Sequence, residues 1–213
     1  MIGLIITIIL QLAIVPIGYI VQRIDNELGR KWCHISTGVL MWIGCCFLIK
    51  DPILIASLLV IYTSVVAILR NFDMIPDKRD DDKDNNSKAV ILYGLGELIM
   101  ALLLFIDTRY MLHFGLAVFT LAFGDAFAAL IGIKFGKYGP KLINNKSLIG
   151  TIAFIVFAII GMLIPCMALG YELTLLPKIV FLAIIGCIVE LYAADYDNLL
   201  IQIIVGFMAL ILI

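Results

Sequence analysis

Eight apolar segments divide this chain, and they constrain its fold more than any other feature. Most of them approach the ~20 residues that an α-helix needs to span a bilayer. We therefore predict an all-α, polytopic membrane protein with seven to eight transmembrane helices in one integral-membrane domain, residues 1–213. The final segment is short, which leaves the count at seven or eight. The segments cover residues 2–21, 35–49, 53–69, 89–106, 111–133, 148–170, 178–194 and 199–213.

The composition excludes a soluble globular enzyme. Hydrophobic residues make up 63% of the chain and charged residues 15%, with a mean hydropathy of +1.14. Soluble domains have roughly 45–50% apolar and about 25% charged residues. The formal net charge is -1, so no overall basic field indicates a nucleic-acid partner, and we expect none.

The longest polar stretch runs from Arg70 to Lys88 and contains the mixed-charge run DKRDDDKDNNSK. It has no apolar periodicity and cannot bury enough apolar surface to offset the entropy lost on ordering. We predict a mobile cytoplasmic loop at residues 70–88.

The basic residues are distributed unevenly between the two ends of the predicted helices. The loops after helices one, three, five and seven carry twelve Lys and Arg residues, and the other loops carry three. Because basic loops stay in the cytoplasm, this predicts cytoplasmic odd-numbered loops and an outside N-terminus. We expect a multi-pass protein of the cell membrane. The twelve are Arg23, Arg30, Lys31, Arg70, Lys78, Arg79, Lys83, Lys88, Lys134, Lys137, Lys141 and Lys146.

Three carboxylates lie inside apolar segments: Glu97, Asp125 and Glu190. An ionisable side chain in a span costs several kcal/mol by insertion scales, so each is a functional candidate. Counted along their helices, all three lie at similar depths on the cytoplasmic side. We expect them to face one shared cavity; the alternative is that each only hydrogen-bonds a neighbouring helix.

A stripe of small residues adjoins one of these carboxylates. Gly124, Ala128, Gly132 and Gly136 recur every fourth residue, which places them on one helix face. Such a stripe admits a close neighbour, either another helix or a phosphate-bearing ligand. Asp125 beside it could hold a divalent metal, with Lys134 and Lys137 at its mouth.

Two shorter segments also favour anion binding. Ser147 is placed to cap helix six, and Lys146 precedes that helix N-terminus, where N–H groups and the dipole attract anionic oxygens. Arg30 and His34, four residues apart, share a face if helix two begins there, giving a phosphate clamp with a possible proton acceptor. In both segments the alternative is that the basic residues only anchor a span at the membrane surface.

Together these motifs resemble those of the membrane-embedded CTP-dependent lipid kinases, which include dolichol kinase, phytol kinase and the CTP-using diacylglycerol kinase. The resemblance covers residues 30 to 198 and departs from the family pattern in two places. Ile149 stands where the family usually has Glu, and Asp195-Tyr196-Asp197-Asn198 interrupts the usual D-D-N. The matching residues are Arg30, Lys31, His34, Gly124, Asp125, Ala128, Gly132, Gly136, Lys146, Ser147, Gly150, Thr151, Glu190, Asp197 and Asn198.

The resemblance implies phosphoryl transfer from CTP to a lipid alcohol, either a polyprenol or phytol type or diacylglycerol, with a divalent cation such as Mg²⁺. Asp125, His34 and Lys146 are the expected catalytic residues, and Asp125 and Glu190 the expected metal ligands. Glu97, Glu190, Asp197 and Asn198 would support the site. The expected nucleotide and phosphate contacts are Arg30, Lys31, Gly124, Ala128, Gly132, Gly136, Lys137, Ser147 and Gly150.

Two other functions fit parts of the pattern. Phosphatidate cytidylyltransferase also uses CTP in the membrane, but its C-terminal K-R-x-x-x-x-K-D and H-G-G motif is absent, and no Lys, Arg or His follows Asn198. A small transporter could use the three carboxylates as a relay. It would need polar residues in both halves of the membrane, whereas the ionisable groups here cluster on one side.

Overall fold

The computed structural model describes residues 2–72 and 89–213, and these residues are predominantly helical. Apart from an isolated bridge between Lys141 and Ser147, the described ranges contain no β-structure. The loop predicted at residues 70–88 lies, from residue 73 on, outside the described residues. The α-helices in these ranges are α1 Ile2–Gln22, α2 Asn26–Ile43, α3 Pro52–Asn71, α4 Ala89–Leu102, α5 Met111–Phe119, α6 Ala126–Phe135, α7 Leu148–Ala168, α8 Leu176–Tyr192 and α9 Asp197–Leu212.

Seven helical stretches in the described part of the chain are long and apolar enough to cross a membrane. The all-α, multi-span character predicted from the sequence is confirmed at this level of length and composition. The last stretch, Ala194–Leu212, qualifies because a 3₁₀ turn precedes α9, whereas Ala89–Phe105 is apolar but shorter. The seven are Ile2–Gln22, Asn26–Ile49, Pro52–Leu69, Thr108–Tyr138, Leu148–Ala168, Leu173–Tyr192 and Ala194–Leu212.

Helix α2 begins nine residues before the apolar segment that starts at residue 35. Asp25 caps it, because its Oδ1 accepts a hydrogen bond of 2.8 Å from the Leu28 N–H. This cap places Arg30, Lys31 and His34 inside the helix rather than in the preceding loop. Arg30 and His34 therefore lie one helical turn apart on the same side of α2.

Helix α5 is at the centre of the bundle. Every side chain from Leu112 to Phe119 is buried, and α2, α4, α7 and α9 pack around it. Large apolar side chains instead cover the exposed surfaces of the outer helices, including Ile9 on α1 and Ile61 on α3. Side chains at the end of α5 are consequently held on the most enclosed helix of the described fold.

A wide π-helical turn, Thr120–Asp125, joins α5 to α6. The apolar segment 111–133 predicts one continuous α-helix, and this turn interrupts it with an i→i+5 pattern. π-bulges occur frequently at functional sites because they redirect the side chains that follow them. Here the turn ends on Asp125.

The small-residue stripe lets α6 and α7 approach each other closely. A Cβ added at Gly150 would lie 2.8 Å from the Ala128 carbonyl oxygen and 3.2 Å from the Gly132 Cα. A Cβ at Gly136 would lie 2.7 Å from the Ser147 side chain, and one at Gly124 would lie 2.9 Å from the Phe154 ring. Helix packing, one of the two explanations open from the sequence, thus accounts for the stripe.

We expect Gly150→Ala to destabilise the protein although alanine is intrinsically the better helix former. The new methyl group would meet backbone atoms of α6 that cannot rotate away. Overpacking of this kind costs about 1–3 kcal/mol. The measurement is the free energy of unfolding in detergent, with Ala168→Val at the exposed end of the same helix as the control. Equal stability of Gly150→Ala and wild type would contradict this packing.

Candidate functional site

A polar cavity of about 1000 Å³ lies where the basic ends of several helices meet. Its wall is formed by the first turns of α2, by α6, by the segment between α6 and α7, and by the junction of α8 with α9. Of the residues that the sequence singled out, it brings together the following: Arg30, Lys31, Asp125, Ala128, Gly132, Lys137, Lys146, Ser147, Gly150, Thr151, Glu190 and Asp197.

Two side chains of α2, Lys31 and His34, lie beside the Asp125 carboxylate. The Lys31 Nζ donates to Asp125 Oδ2 at 2.5 Å, and His34 Nδ1 lies 3.5 Å from the same oxygen. Lys31 is 1% exposed and Asp125 7% exposed. The motif resemblance implies that Lys31 binds phosphate, but in the structure its ammonium group is directed at the Asp125 carboxylate.

Lys146 forms a second ion pair at the wall of the polar cavity. Its Nζ lies 2.5 Å from Glu190 Oε1, donates to the Glu190 backbone oxygen at 2.6 Å, and lies 3.7 Å from Asp197 Oδ2. These contacts tie the loop before α7 to the end of α8 and the start of α9. Lys146 thus bridges two carboxylates that the sequence separates by several residues.

Ser147 caps α7 as the sequence predicted. Its Oγ accepts a hydrogen bond of 3.1 Å from the Gly150 N–H, and the side chain is buried. The Leu148 N–H of the same turn donates to the Pro140 backbone oxygen at 3.0 Å, and Lys146, Ser147 and Gly150 all line the cavity. A helix N-terminus and a lysine together attract anionic oxygens.

Arg30 is paired within its own helix. Its guanidinium donates to both carboxylate oxygens of Glu27, at 3.0 Å from Nε and 2.5 Å from the terminal nitrogen. The pair is largely buried, with the Arg30 side chain 7% exposed. Arg30 lines the polar cavity while keeping an acidic partner, so its positive charge is partly compensated before any ligand enters.

The polar cavity carries both signs of charge in nearly equal number. Among the described residues that line it, five are basic and six are acidic. The acidic residues would repel a polyphosphate that enters alone. A cation bound to the polyphosphate would instead be attracted to them. The basic residues are Arg30, Lys31, Lys137, Lys141 and Lys146, and the acidic ones are Asp25, Glu27, Asp125, Glu190, Asp195 and Asp197.

The described residues do not form a self-sufficient metal site. They contain no group of three or more His, Cys, Asp or Glu side chains placed to hold an ion. Asp125 and Glu190, the expected ligands, are each paired with a lysine instead. The donor set does fit a Mg²⁺ ion that arrives with a nucleotide, since Mg²⁺ is commonly held by one or two carboxylates together with substrate phosphates and water.

Glu97 does not join the other two carboxylates. It is fully buried on α4, outside the polar cavity, and neither of its oxygens has a hydrogen-bond partner among the described residues. Equal depth along a helix does not determine which side of the helix a residue occupies, and that is why the expectation of a shared cavity is wrong for Glu97.

Gly124 and Gly136 were also expected to contact phosphate. Both instead pack against α7 or its capping residue Ser147 and do not line the cavity.

Several residues of the cavity wall were not predicted as site residues, and they include Asp25, Glu27, Lys141 and Asn144. Asn144 donates from Nδ2 to the Leu191 backbone oxygen at 2.8 Å and has φ 55°. Asn145 also has a positive φ, 59°. Asparagine tolerates this left-handed conformation better than most residues, so the Asn-Asn pair was the available signal for a tight turn here. Ile149, at the position where the kinases that the motifs resemble usually have Glu, lies against Gly139 rather than at the cavity wall.

An apolar cleft adjoins the polar cavity. It lies between α1, α2, α3 and α4, and the two spaces share Arg30. His34 lines the cleft, while its Nδ1 approaches Asp125 in the cavity. Asp197 lines the cavity and its neighbour Asn198 the cleft, where Asn198 Nδ2 donates to the Ala89 backbone oxygen at 3.0 Å. An ionic space and a hydrocarbon-like space therefore meet beside one carboxylate.

No protein-family model matches this chain, and no curated protein or solved structure matches it either.

We expect loss of the buried Lys31 partner to destabilise the protein strongly. Lys31→Met would remove the closest partner of the buried Asp125 carboxylate and leave His34 Nδ1 at 3.5 Å. Breaking a buried pair costs about 3–5 kcal/mol. Lys137→Met is the matched control, because Lys137 is an exposed lysine of the same cavity. The free energy of unfolding in detergent measures both.

The double variant Lys31→Met with Asp125→Leu should recover part of the lost stability, because no buried charge remains. If Lys31→Met and Lys137→Met had equal effects, the Lys31–Asp125 pair would not be the contact that holds α2 against the end of α5.

Proposed function

We propose that this protein is a membrane-embedded kinase that transfers the terminal phosphoryl group of CTP to the hydroxyl of a lipid alcohol. The observation that carries the proposal is the meeting of the polar cavity and the apolar cleft beside Asp125. A phosphoryl transfer between a water-soluble donor and a lipid acceptor needs these two environments in contact. The choice of CTP as donor rests on the motif resemblance alone.

The polar cavity would bind the phosphates of the donor. Lys146, the N-terminal end of the capped α7 and Arg30 all line it. Lys137 and Lys141 add charge on exposed parts of the wall. In phosphoryl transfer, catalysis comes mainly from positioning and from stabilising charge, which is what such a set of fixed cations can supply.

Asp125 and His34 would act on the acceptor hydroxyl. The alcohol oxygen forms a bond to the terminal phosphorus, and the bond from that phosphorus to the bridging oxygen breaks. CDP leaves with the bridging oxygen, and the hydroxyl proton passes to Asp125 or His34. His34 lines the cleft and Asp125 lines the cavity, and His34 Nδ1 lies 3.5 Å from Asp125 Oδ2. A hydroxyl bound between the two spaces would therefore lie near a proton acceptor.

A Mg²⁺ ion bound with the nucleotide would neutralise developing phosphate charge. Asp125 is the residue we propose to hold it, with Glu190 and Asp197 nearby on the same wall. Lys31 orients Asp125 through their ion pair. The near balance of acidic and basic residues around the cavity supports a donor that carries its own cation.

We propose that the cavity faces the cytoplasm and that the protein resides in the cell membrane. Five of the described basic residues line the cavity, and all five belong to the group of twelve on one side of the predicted spans. The positive-inside rule assigns that side to the cytoplasm. Cytoplasmic nucleotide would then reach the site directly.

We expect Asp125→Asn to reduce phosphoryl transfer by at least about 100-fold, because general-base and positioning effects of such a group contribute roughly 10²–10⁴-fold. The assay supplies CTP labelled at the γ-phosphate and a lipid alcohol in detergent, and measures label in organic-soluble lipid phosphate with release of CDP. Asp107→Asn, which removes an exposed carboxylate away from the cavity, is the control and should keep normal transfer.

Release of pyrophosphate with transfer of the α-phosphate would identify a cytidylyltransferase and contradict the kinase proposal. Equal transfer from ATP and CTP would contradict the choice of donor. Near-normal activity of Asp125→Asn would restrict the carboxylate to a packing role with Lys31.

We also expect divalent cation to bind only together with nucleotide. Titration calorimetry with Mn²⁺ alone should show no saturable binding, because Asp125 and Glu190 each have a lysine partner. Addition of CTP should produce binding, and EDTA should abolish transfer. Tight Mn²⁺ binding without nucleotide would show that the carboxylates form a metal site of their own.

A further inference from the structure

The apolar cleft has a defined direction relative to the polar cavity. Its lining residues on α2 are Arg30, Cys33, His34 and Thr37, which have the i, i+3, i+4, i+7 spacing of one helix face. Arg30 lies at the end shared with the cavity. At the other end, Thr37 Oγ1 lies 3.1 Å from the Tyr62 hydroxyl. The cleft therefore runs along α2 from the ionic space into the apolar bundle.

Contacts of α4 give the same direction. Asn198 bonds to Ala89 at the cavity end, and the Tyr93 hydroxyl donates to the His34 backbone oxygen at 3.1 Å further along. Gly94 then packs against the Thr63 side chain and closes the inner end. The distance from Arg30 to Thr37 along α2 is about 10 Å, at 1.5 Å per residue.

The apolar cleft is narrow. Its volume is about 80 Å³, compared with roughly 300–1,000 Å³ for pockets that enclose a drug-sized ligand. Aromatic and β-branched side chains from α3 and α4 enclose it, including Val66, which is 7% exposed. A space of this size and length accommodates one hydrocarbon chain but not two side by side.

We propose that this cleft is the acceptor subsite and that it binds the first part of a single hydrocarbon chain, with the hydroxyl at His34 and Asp125. This inference rests on the proposed kinase function and restricts its substrate to single-chain alcohols. In a diacylglycerol, two acyl chains branch close to the hydroxyl, so both would need space near the cleft mouth. The continuity of the cleft with the polar cavity at Arg30 places the reacting end of the chain beside Asp125.

Adjacent valines on α3 provide a matched pair of variants. Val66 lines the cleft, whereas Val65 is 38% exposed on the outer surface. In the full-length protein, Val66→Trp should raise the KM for farnesol about tenfold or more and leave the KM for CTP within about twofold, as expected for loss of acceptor binding alone. Val65→Trp should change neither KM. Val90→Phe, which narrows the cleft from α4, should act like Val66→Trp if that variant does not fold.

A binding experiment tests the cleft without requiring turnover. Farnesol that carries a photoreactive diazirine should label α2, α3 or α4 at cleft residues. Unlabelled farnesol should compete and diacylglycerol should not. The Val66→Trp variant should lose most of the label and Val65→Trp should keep it.

The outcomes separate this inference from the proposed function. Cleft labelling that Val66→Trp removes, without phosphoryl transfer from any nucleotide, would support the chain subsite and overturn the kinase. Transfer that prefers diacylglycerol, or labelling that is equal in Val65→Trp and Val66→Trp, would overturn the single-chain cleft and leave the kinase standing.

Discussion

The buried ion pair between Lys31 and Asp125 determines how the two parts of the site meet. It links residues 94 positions apart in sequence and fixes the start of α2 against the end of the π-helical turn after α5. Because α5 is enclosed by its neighbours, Asp125 cannot move independently of the bundle core. The carboxylate thereby keeps a constant relation to His34 on one side and to the polar cavity on the other.

Much of this architecture could be predicted from the sequence because apolar run length is a strong physical signal. The runs predicted the spanning helices, and the spacing of Arg30 and His34 predicted a shared face. Ser147 as a cap was also predictable, since a small hydroxyl residue before an apolar run is a typical N-terminus. These inferences depend only on neighbours in sequence, and local geometry is what a sequence encodes most directly.

Other features could not be predicted because they depend on contacts between distant segments. The pairing of Lys31 with Asp125 needs the relative rotation of α2 and α5, which no periodicity specifies. The π-helical turn at Thr120–Asp125 changes the direction of the side chains that follow, whereas the stripe at Gly124 to Gly136 was interpreted with uniform α-helical spacing. Glu97 illustrates the same problem, because its depth was predictable and its direction around α4 was not.

The apolar cleft and the polar cavity are lined largely by different helices. The apolar cleft takes most of its lining from α1, α3 and α4, while the polar cavity takes most of its lining from α6 to α9 and their connections. Among the described residues, only α2 and the start of α9 contribute to both. Under the proposed function, substitutions on α3 or α4 could alter acceptor length or branching while phosphate chemistry is retained. Selection on α2 would be far stricter, because each change there affects donor and acceptor together.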